Sequence, residues 1–533
     1  MTSVFERLLV AVAALVLAAC AGEESPSDST DLPEVGWRSA LYPSDWTPSL
    51  TDRDGRFLHD VSYAGYHRSE QPLPTIDGPV FLVSDFGADA TGAEDSTAAI
   101  QSTIDAASEH GGVVLLDVGL YRVDGLLEVR ADGVVIRGAG AERTQVAFTR
   151  SEGMTGKAHL TFRGAITMGE HLLLSSDAVN RSVEVGLQTT GSLSVGDDIV
   201  LGWTITDDFI DEHGMTGTWK AFNGTWRPFF AREVVSVDGS LGVDVPLRYD
   251  AKRRDQASVR RVTGYLSEVG VEDLSVSTEA PWHSAWDNSR SHAVGFIGVK
   301  DSWVRGVGSF DSPFVDDLRH RHLQSGGVLI LDSKRMTVAD SVLQLAQNRG
   351  GGGNGYLFEI SRSGDILVRD CEGHGGRHNF IQNWDFGSNG LVFLRTVSTG
   401  GKAFSGVSSN IGTVGLSEFH HSLAMANLID SSVADDGWGA LNRQDWSSGA
   451  GHSATQTVFW NLRGQGKVRS FQYGHGYVIG TSEIDVQTDL LAPDPFENSE
   501  HSEPQDWTEG VDEAQTLVPQ SLFEDQLARR LAR

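Results

Sequence analysis

Arg377, His378 and Asn379 stand where a turn, Gly373-His374-Gly375-Gly376, runs into a short apolar strand at Phe380-Ile381. An arginine beside a histidine suits the removal of a proton from carbon next to a carboxylate. A base must take the proton, and a cation or hydrogen-bond donors must neutralise the carboxylate so that this proton becomes acidic. In a uronate polymer that reaction is β-elimination at C5. His378 is the candidate base, Arg377 the carboxylate holder, and Asn379 and Asn383 further donors. His421 and His452 are candidates to complete the proton transfer, with Tyr473 and Tyr477 less favoured as proton donors.

A polar residue followed by a strand recurs along the C-terminal half: His292, His322, Asn354, His378, His421, His452 and His475. This spacing predicts a column of side chains on one face of a solenoid, where residues far apart in sequence become neighbours about 4.8 Å apart. The bland reading of any single histidine is a turn-capping group. A second chemistry rests on Asp435-Asp436, because paired carboxylates supply acid and base for glycoside hydrolysis. Ala434-Asp-Asp-Gly437 is also an ordinary turn sequence. His322, Asp435, Arg443 and Trp226 complete the candidate substrate-binding residues.

Such side chains need a scaffold, and 533 residues with 61 Gly and 15 Pro allow one elongated repeat body. Weakly similar units carry Leu274, Val304, Met336, Ile366 and Val392, stepping by roughly 30 residues, a period suited to β-helix coils. A net charge of −30 argues against nucleic acid or an anionic membrane surface as a general partner. Local basic groups at Lys252 to Arg254, Arg260-Arg261, Arg319 to His322 and Arg377-His378 still allow an anionic polysaccharide. With Cys20 in the leader, Cys371 is left alone, so no intrachain disulfide is expected and a buried core role is.

In chain order, residues 1–20 read as an export signal, with an apolar run from Leu8 to Ala19 too short to span a membrane. Its end, Leu17-Ala18-Ala19-Cys20, resembles the lipobox of bacterial lipoproteins. That resemblance implies lipidation at Cys20 and, with Ala21 rather than Asp next, an outer-membrane or cell-surface location. Residues 21–36 are acidic and non-periodic and read as a tether. Residues 37–79 are an aromatic-containing extension expected to fold against the body.

Residues 80–150 hold Asp85-Phe86-Gly87-Ala88, then Asp95-Ser96-Thr97-Ala98-Ala99-Ile100, then Gly111-Gly112 and Gly119-Leu-Tyr121. The apolar spacing predicts a helix over 96–108 with Asp95 as N-cap, followed by short strands. This opening resembles the pectate-lyase-like superfamily, with Asp117 where a Pro is usual. The resemblance implies an all-β, right-handed parallel β-helix with an N-terminal capping helix. It says little about chemistry, because that superfamily includes lyases, hydrolases, epimerases and tailspikes.

Residues 151–262 break the pattern and predict a β-rich insertion around an aromatic loop with Trp219, Phe222, Trp226, Phe229 and Phe230, expected to form its own core or a lid contact. Residues 263–490 are the solenoid proper, and 491–533 a tail ending in an amphipathic helix over 521–531. Asp435-Asp436 with the later Gly474-His475-Gly476 faintly resembles the polygalacturonase set, without its upstream Asn-Thr-Asp or downstream Arg-x-Lys. Calcium is a candidate cofactor through Asp385, Asp435 or Asp436, because related lyases use it; no EF-hand spacing is present. The reading is a surface-anchored enzyme, first a lyase on a uronate polysaccharide. The alternatives are a glycoside hydrolase using the Asp pair and a non-catalytic glycan-binding or adhesive lipoprotein.

Overall fold

The computed structural model describes residues 36–316, 318–409, 411–488 and 504–533. The export signal, Cys20, most of the tether and the acidic stretch at 494–503 lie outside them.

The body is a right-handed parallel β-helix. One face is a parallel sheet from Leu127–Val129 and Ala158–Arg163 through Tyr356–Ser361, His378–Gln382 and Ser417–Phe419 to Asp485–Gln487. A second ladder aligns apolar residues of successive coils: Val271 with Val304, Val304 with Val338, Val338 with Val368, and Val368 with Phe393. The expected equivalence of Leu274, Val304 and Met336 is corrected here: Leu274 pairs with Val307, and Met336 with Ser302. The repeat length was right, but coils of unequal length shift the register within it.

The ladders bury one continuous core, because in-register side chains stack on their own kind. Phe162 lies flat on Phe296 (4.5 Å between centroids, 3° between planes), and Phe358 on Phe380 (4.9 Å, 8°). Cys371 is buried in this core, where desolvation raises its thiol pKa well above its ordinary value.

Thr97–Ala107 is the capping helix, and its Ile100, Ile104 and Ala107 close the first coils. Its N-cap position is Ser96 rather than Asp95. Asp95 still serves the start of the helix, since its Oδ1 accepts from the Thr97 N–H at 2.9 Å.

The insertion is an antiparallel sheet running from Thr167–Met168 to Ser258–Thr263, so it begins after Ala158–Arg163, which joins the solenoid. Trp219, Phe222, Phe229 and Phe230 do form its core, together with Phe386, Leu423 and Met425 of the solenoid. That shared core fastens the insertion against the coils that carry the site. The extension buries Leu41, Tyr42 and Trp46 against Leu428, Trp460 and Tyr477. The tail helix, Leu522–Leu531, starts at the Ser521 cap and buries Leu522 and Phe523 in the same cluster. No helix among the described residues is long and apolar enough to cross a membrane.

Candidate active site

A cleft of about 480 Å³ opens over the long parallel sheet, walled by Arg290, Tyr356, Arg377, His420, His421 and Ser447. Asn383 and Trp384 close one end. The coil register produces this set. Tyr356 pairs with His378, and Glu359 with Ile381, which pairs in turn with Glu418. Phe358 and Phe380 go to the core, while Glu359, next along the strand, turns toward Arg290 and Asn383 of the cleft.

Arg377 is aimed by its turn. Its N–H donates to the Gly355 carbonyl at 2.6 Å, and its Nη1 to the Gly350 carbonyl at 2.6 Å. Gly415 passes so close that a Cβ there would meet the Arg377 carbonyl oxygen at 1.9 Å. Only glycine allows that approach.

Beneath the cleft lies a buried charge group centred on Glu418. Arg443 Nη1 donates to Glu418 Oε2 at 2.8 Å, His420 Nδ1 bonds Oε1, and His378 Nε2 stands 3.4 Å from Oε1. Burial alone would raise the Glu418 pKa, but Arg443 and the two histidines hold it well below the usual range. Burial, with Arg443 adding to it, pushes His420 down to about 3, and burial first takes His378 to about 4. At neutral pH the site therefore holds a carboxylate, a guanidinium and neutral imidazoles. Because Nδ1–H of His420 faces the carboxylate, its Nε2 is left as an acceptor, and it meets Ser447 Oγ at 3.1 Å. Burial raises the Tyr356 phenol to about 12, so it remains protonated.

One ligand atom from each of His378, Glu418 and His420 lies within 4.8 Å of the others. Two nitrogens and one carboxylate suit a zinc-class ion better than calcium, which takes six to eight oxygens. In the described arrangement those atoms are engaged with one another and with Arg443.

Residues 80–192 match the family Rhamnogalacturonase A/epimerase, pectate lyase-like. The opening coils are thus similar to those of pectate-lyase-like β-helix proteins. Part of it is 47% identical over 74 residues to the mannuronan C5-epimerase AlgE3 of Azotobacter vinelandii, a match spanning 12% of this chain and 4% of that protein. Among solved structures, this β-helix protein resembles the tailspike gp61 of Pseudomonas phage phi297 (14% identity, 82% of this chain and 80% of that one, TM-score 0.37). It also resembles an exopolygalacturonase from Thermotoga maritima (10% identity, 83% and 81%, TM-score 0.36).

The solenoid brings some of the expected residues together and leaves others apart. Arg377, Asn383 and His421 line the cleft, while His378 and Arg443 support it from below. Asn383 is tied to the buried Glu359 at 2.8 Å. Asn379 is spent between coils, where its Nδ2 donates to Ser398, Thr399 and Asp436 and its Oδ1 accepts from the Gly376 N–H. Asp436 accepts from Asn379, Gly401 and Ser398, and its burial raises its pKa to about 6. Asp435 points the other way, exposed, and caps the Gln465 N–H at 3.0 Å. These two carboxylates therefore do not face a common substrate space. Asp385 pairs instead with Arg227 at 3.1 Å, so the three carboxylates considered for calcium have separate partners.

The expected histidine column also divides. His292 bonds Glu359 at 2.8 Å, His322 bonds Ser309 at 3.0 Å, and His452 bonds the His213 carbonyl oxygen at 3.1 Å among the aromatics of the insertion. Trp226 is partly buried and donates to Ser258 at 3.0 Å on the insertion sheet. Sequence reasoning missed Arg290, Tyr356, Glu418, His420 and Ser447. Glu418 and His420 are two residues apart at a strand end, a spacing that puts both on one face and could have flagged them.

Proposed function

We propose that this protein cleaves a uronate-containing polysaccharide by β-elimination in this cleft. The observation that supports the reading best is the joint presence of two arginines, a protonated tyrosine and a neutral histidine lining one cleft. Arg377 and Arg290 neutralise the carboxylate of the bound sugar. His420 Nε2 takes the C5 proton, and the Glu418 carboxylate stabilises the resulting imidazolium. Tyr356 gives its proton to the departing glycosidic oxygen. His378, out of the cleft, keeps Glu418 and Tyr356 in place: its ring lies 5.2 Å from that of Tyr356. Hydrolysis by Asp435 and Asp436 is disfavoured by their divergent placement.

The test is to incubate the full chain with acidic and neutral polysaccharides and follow the absorbance of unsaturated uronate together with new reducing ends. Elimination requires both to rise, and both to fall about 10²-fold or more in Arg377→Ala. Reducing ends without absorbance sink the proposal in favour of hydrolysis. Binding without either signal favours an adhesive role. We further propose anchoring at the cell surface through Cys20. Cys20→Ser should then move the protein from the membrane fraction to the soluble one.

A further inference from the structure

Ser447 has a geometry that elimination does not use. It sits in the short turn Trp446–Gly449, it is exposed, and it lines the cleft. Its backbone is left-handed (φ 53°), as is that of Ser448 (φ 66°), a conformation that a side chain adopts only when its surroundings impose it. The surroundings here are explicit. His421 Nε2 donates to the Ser447 carbonyl at 2.8 Å, while His421 Nδ1 accepts from Ser422 at 2.6 Å. From the insertion, Trp219 Nε1 donates to the Ala450 carbonyl at 3.1 Å, and Thr218 Oγ1 donates to Asp445 at 3.1 Å. The turn is thus clamped from both sides with its hydroxyl presented to the cleft.

That hydroxyl has a base and the base has an orienting carboxylate. Ser447 Oγ lies 3.1 Å from His420 Nε2, and His420 Nδ1 bonds Glu418. A nucleophile in hydrogen-bond reach of a histidine fixed by a buried acid is the arrangement that activates serine for acyl transfer. Arg443 adds a cation, with Nη2 donating to the same Oγ at 3.2 Å. An oxygen on the carbon that Oγ attacks would lie next to that guanidinium, where developing negative charge is stabilised.

We propose that Ser447, His420 and Glu418 form a catalytic triad that hydrolyses an acyl ester on a sugar held in this cleft. Ser447 Oγ bonds to the ester carbonyl carbon as its proton passes to His420 Nε2. The bond from that carbon to the sugar oxygen then breaks, and His420 returns the proton to the departing oxygen. Water attacks the acyl-serine, giving its proton to His420. The free acid leaves and His420 restores the serine hydroxyl. The acidic sugar as carrier rests on the elimination reading and its arginines; the ester chemistry does not.

The test treats the full chain with a fluorophosphonate and locates the adduct by peptide mass spectrometry. In parallel, acetate release is followed from p-nitrophenyl acetate and from an O-acetylated uronate polysaccharide. The expected result is an adduct on Ser447 and acetate release, both lost in Ser447→Ala and reduced about 10³-fold or more in His420→Ala. Ser447→Gly, which suits the left-handed backbone, guards against a folding defect in the alanine variant. An unlabelled Ser447 in folded protein, or acetate release undiminished in both Ser447 variants, overturns the proposal. Absorbance at the unsaturated uronate band is read in the same reactions. Acetate release without it upholds the triad and defeats elimination, and absorbance without acetate release or adduct does the reverse.

Discussion

Glu418→Gln removes one buried charge and keeps the shape of the side chain. Its strongest partner is Arg443, 2.8 Å away, with only 4% of the Glu418 side chain and 7% of the Arg443 side chain exposed. With charge centres about 4 Å apart and an effective dielectric of about 20, the lost attraction is about 4 kcal/mol. That agrees with the roughly 3–5 kcal/mol found when a buried pair loses one member, because the survivor stays desolvated without its opposing charge. The two histidines add little, since both are already neutral near pH 7. The assay is guanidinium unfolding followed by tryptophan fluorescence, with Trp438 one residue from Gly439, which pairs with Glu418 in the next coil. Arg443→Gln and the double variant complete the cycle. The double variant should be more stable than the sum of the single losses allows, by about 2 kcal/mol or more. A single variant within about 1 kcal/mol of the parent, or a coupling near zero, would refute the view that Arg443 and Glu418 form the electrostatic centre of the site.

Gly415→Ala should lower kcat/KM at least about tenfold without abolishing folding, because the new Cβ must displace the Arg377 carbonyl it would meet at 1.9 Å; steady-state kinetics decides it, and an unchanged kcat/KM would mean that the turn has slack. Asp436→Ala should cost about 2–3 kcal/mol through three orphaned donors, whereas Asp435→Ala, on an exposed site, should stay within about 0.5 kcal/mol in the same unfolding assay. Asp430, buried under the tail helix and bonded by Ser521 and the Phe523 N–H, has its pKa raised to about 7 by burial. Its raised value favours the folded state below the unfolded carboxylate pKa of about 3.9, and that contribution is lost as pH rises through about 7. Relative to the parent, Asp430→Asn should therefore gain about 3 kcal/mol between pH 5 and pH 8; equal differences at the two pH values would count against a neutral Asp430.

The capping helix, the coil repeat and the aromatic insertion were legible because each is written locally, in helical spacing, in recurring apolar triplets and in a cluster of aromatics. Arg377, Asn383 and His421, which line the cleft, were legible because they flank turns that the repeat places on one face. The rest was hidden by register. A coil longer or shorter by a few residues changes which side chain lies near His378, so the sequence offered His421 and His452 as its companions, while the ladder puts Tyr356 opposite it and Glu418 reaches it from opposite Ile381. Nothing local in the sequence marks Tyr356 or Ser447 as facing a cleft. Asp435 and Asp436 looked like a matched pair, but at the bend after Val433–Ala434 one is exposed and the other buried.

The grip of Thr218 and Trp219 on residues 445–450 also bears on how the molecule is assembled. Coils of a solenoid can add one after another through nearest-neighbour contacts. The turn bearing Ser447 cannot be completed that way, because its clamp joins segments 231 residues apart along the chain, as between Trp219 and Ala450. Such distant contacts form late, after the loop between them has been closed by other means. The solenoid can thus exist as a finished rod before its cleft has its second wall. A ligand that touches both the coils and the turn at Ser447 would hold that turn in place, and the readiness of the site would be set by the docking of the insertion behind it rather than by the stability of the rod.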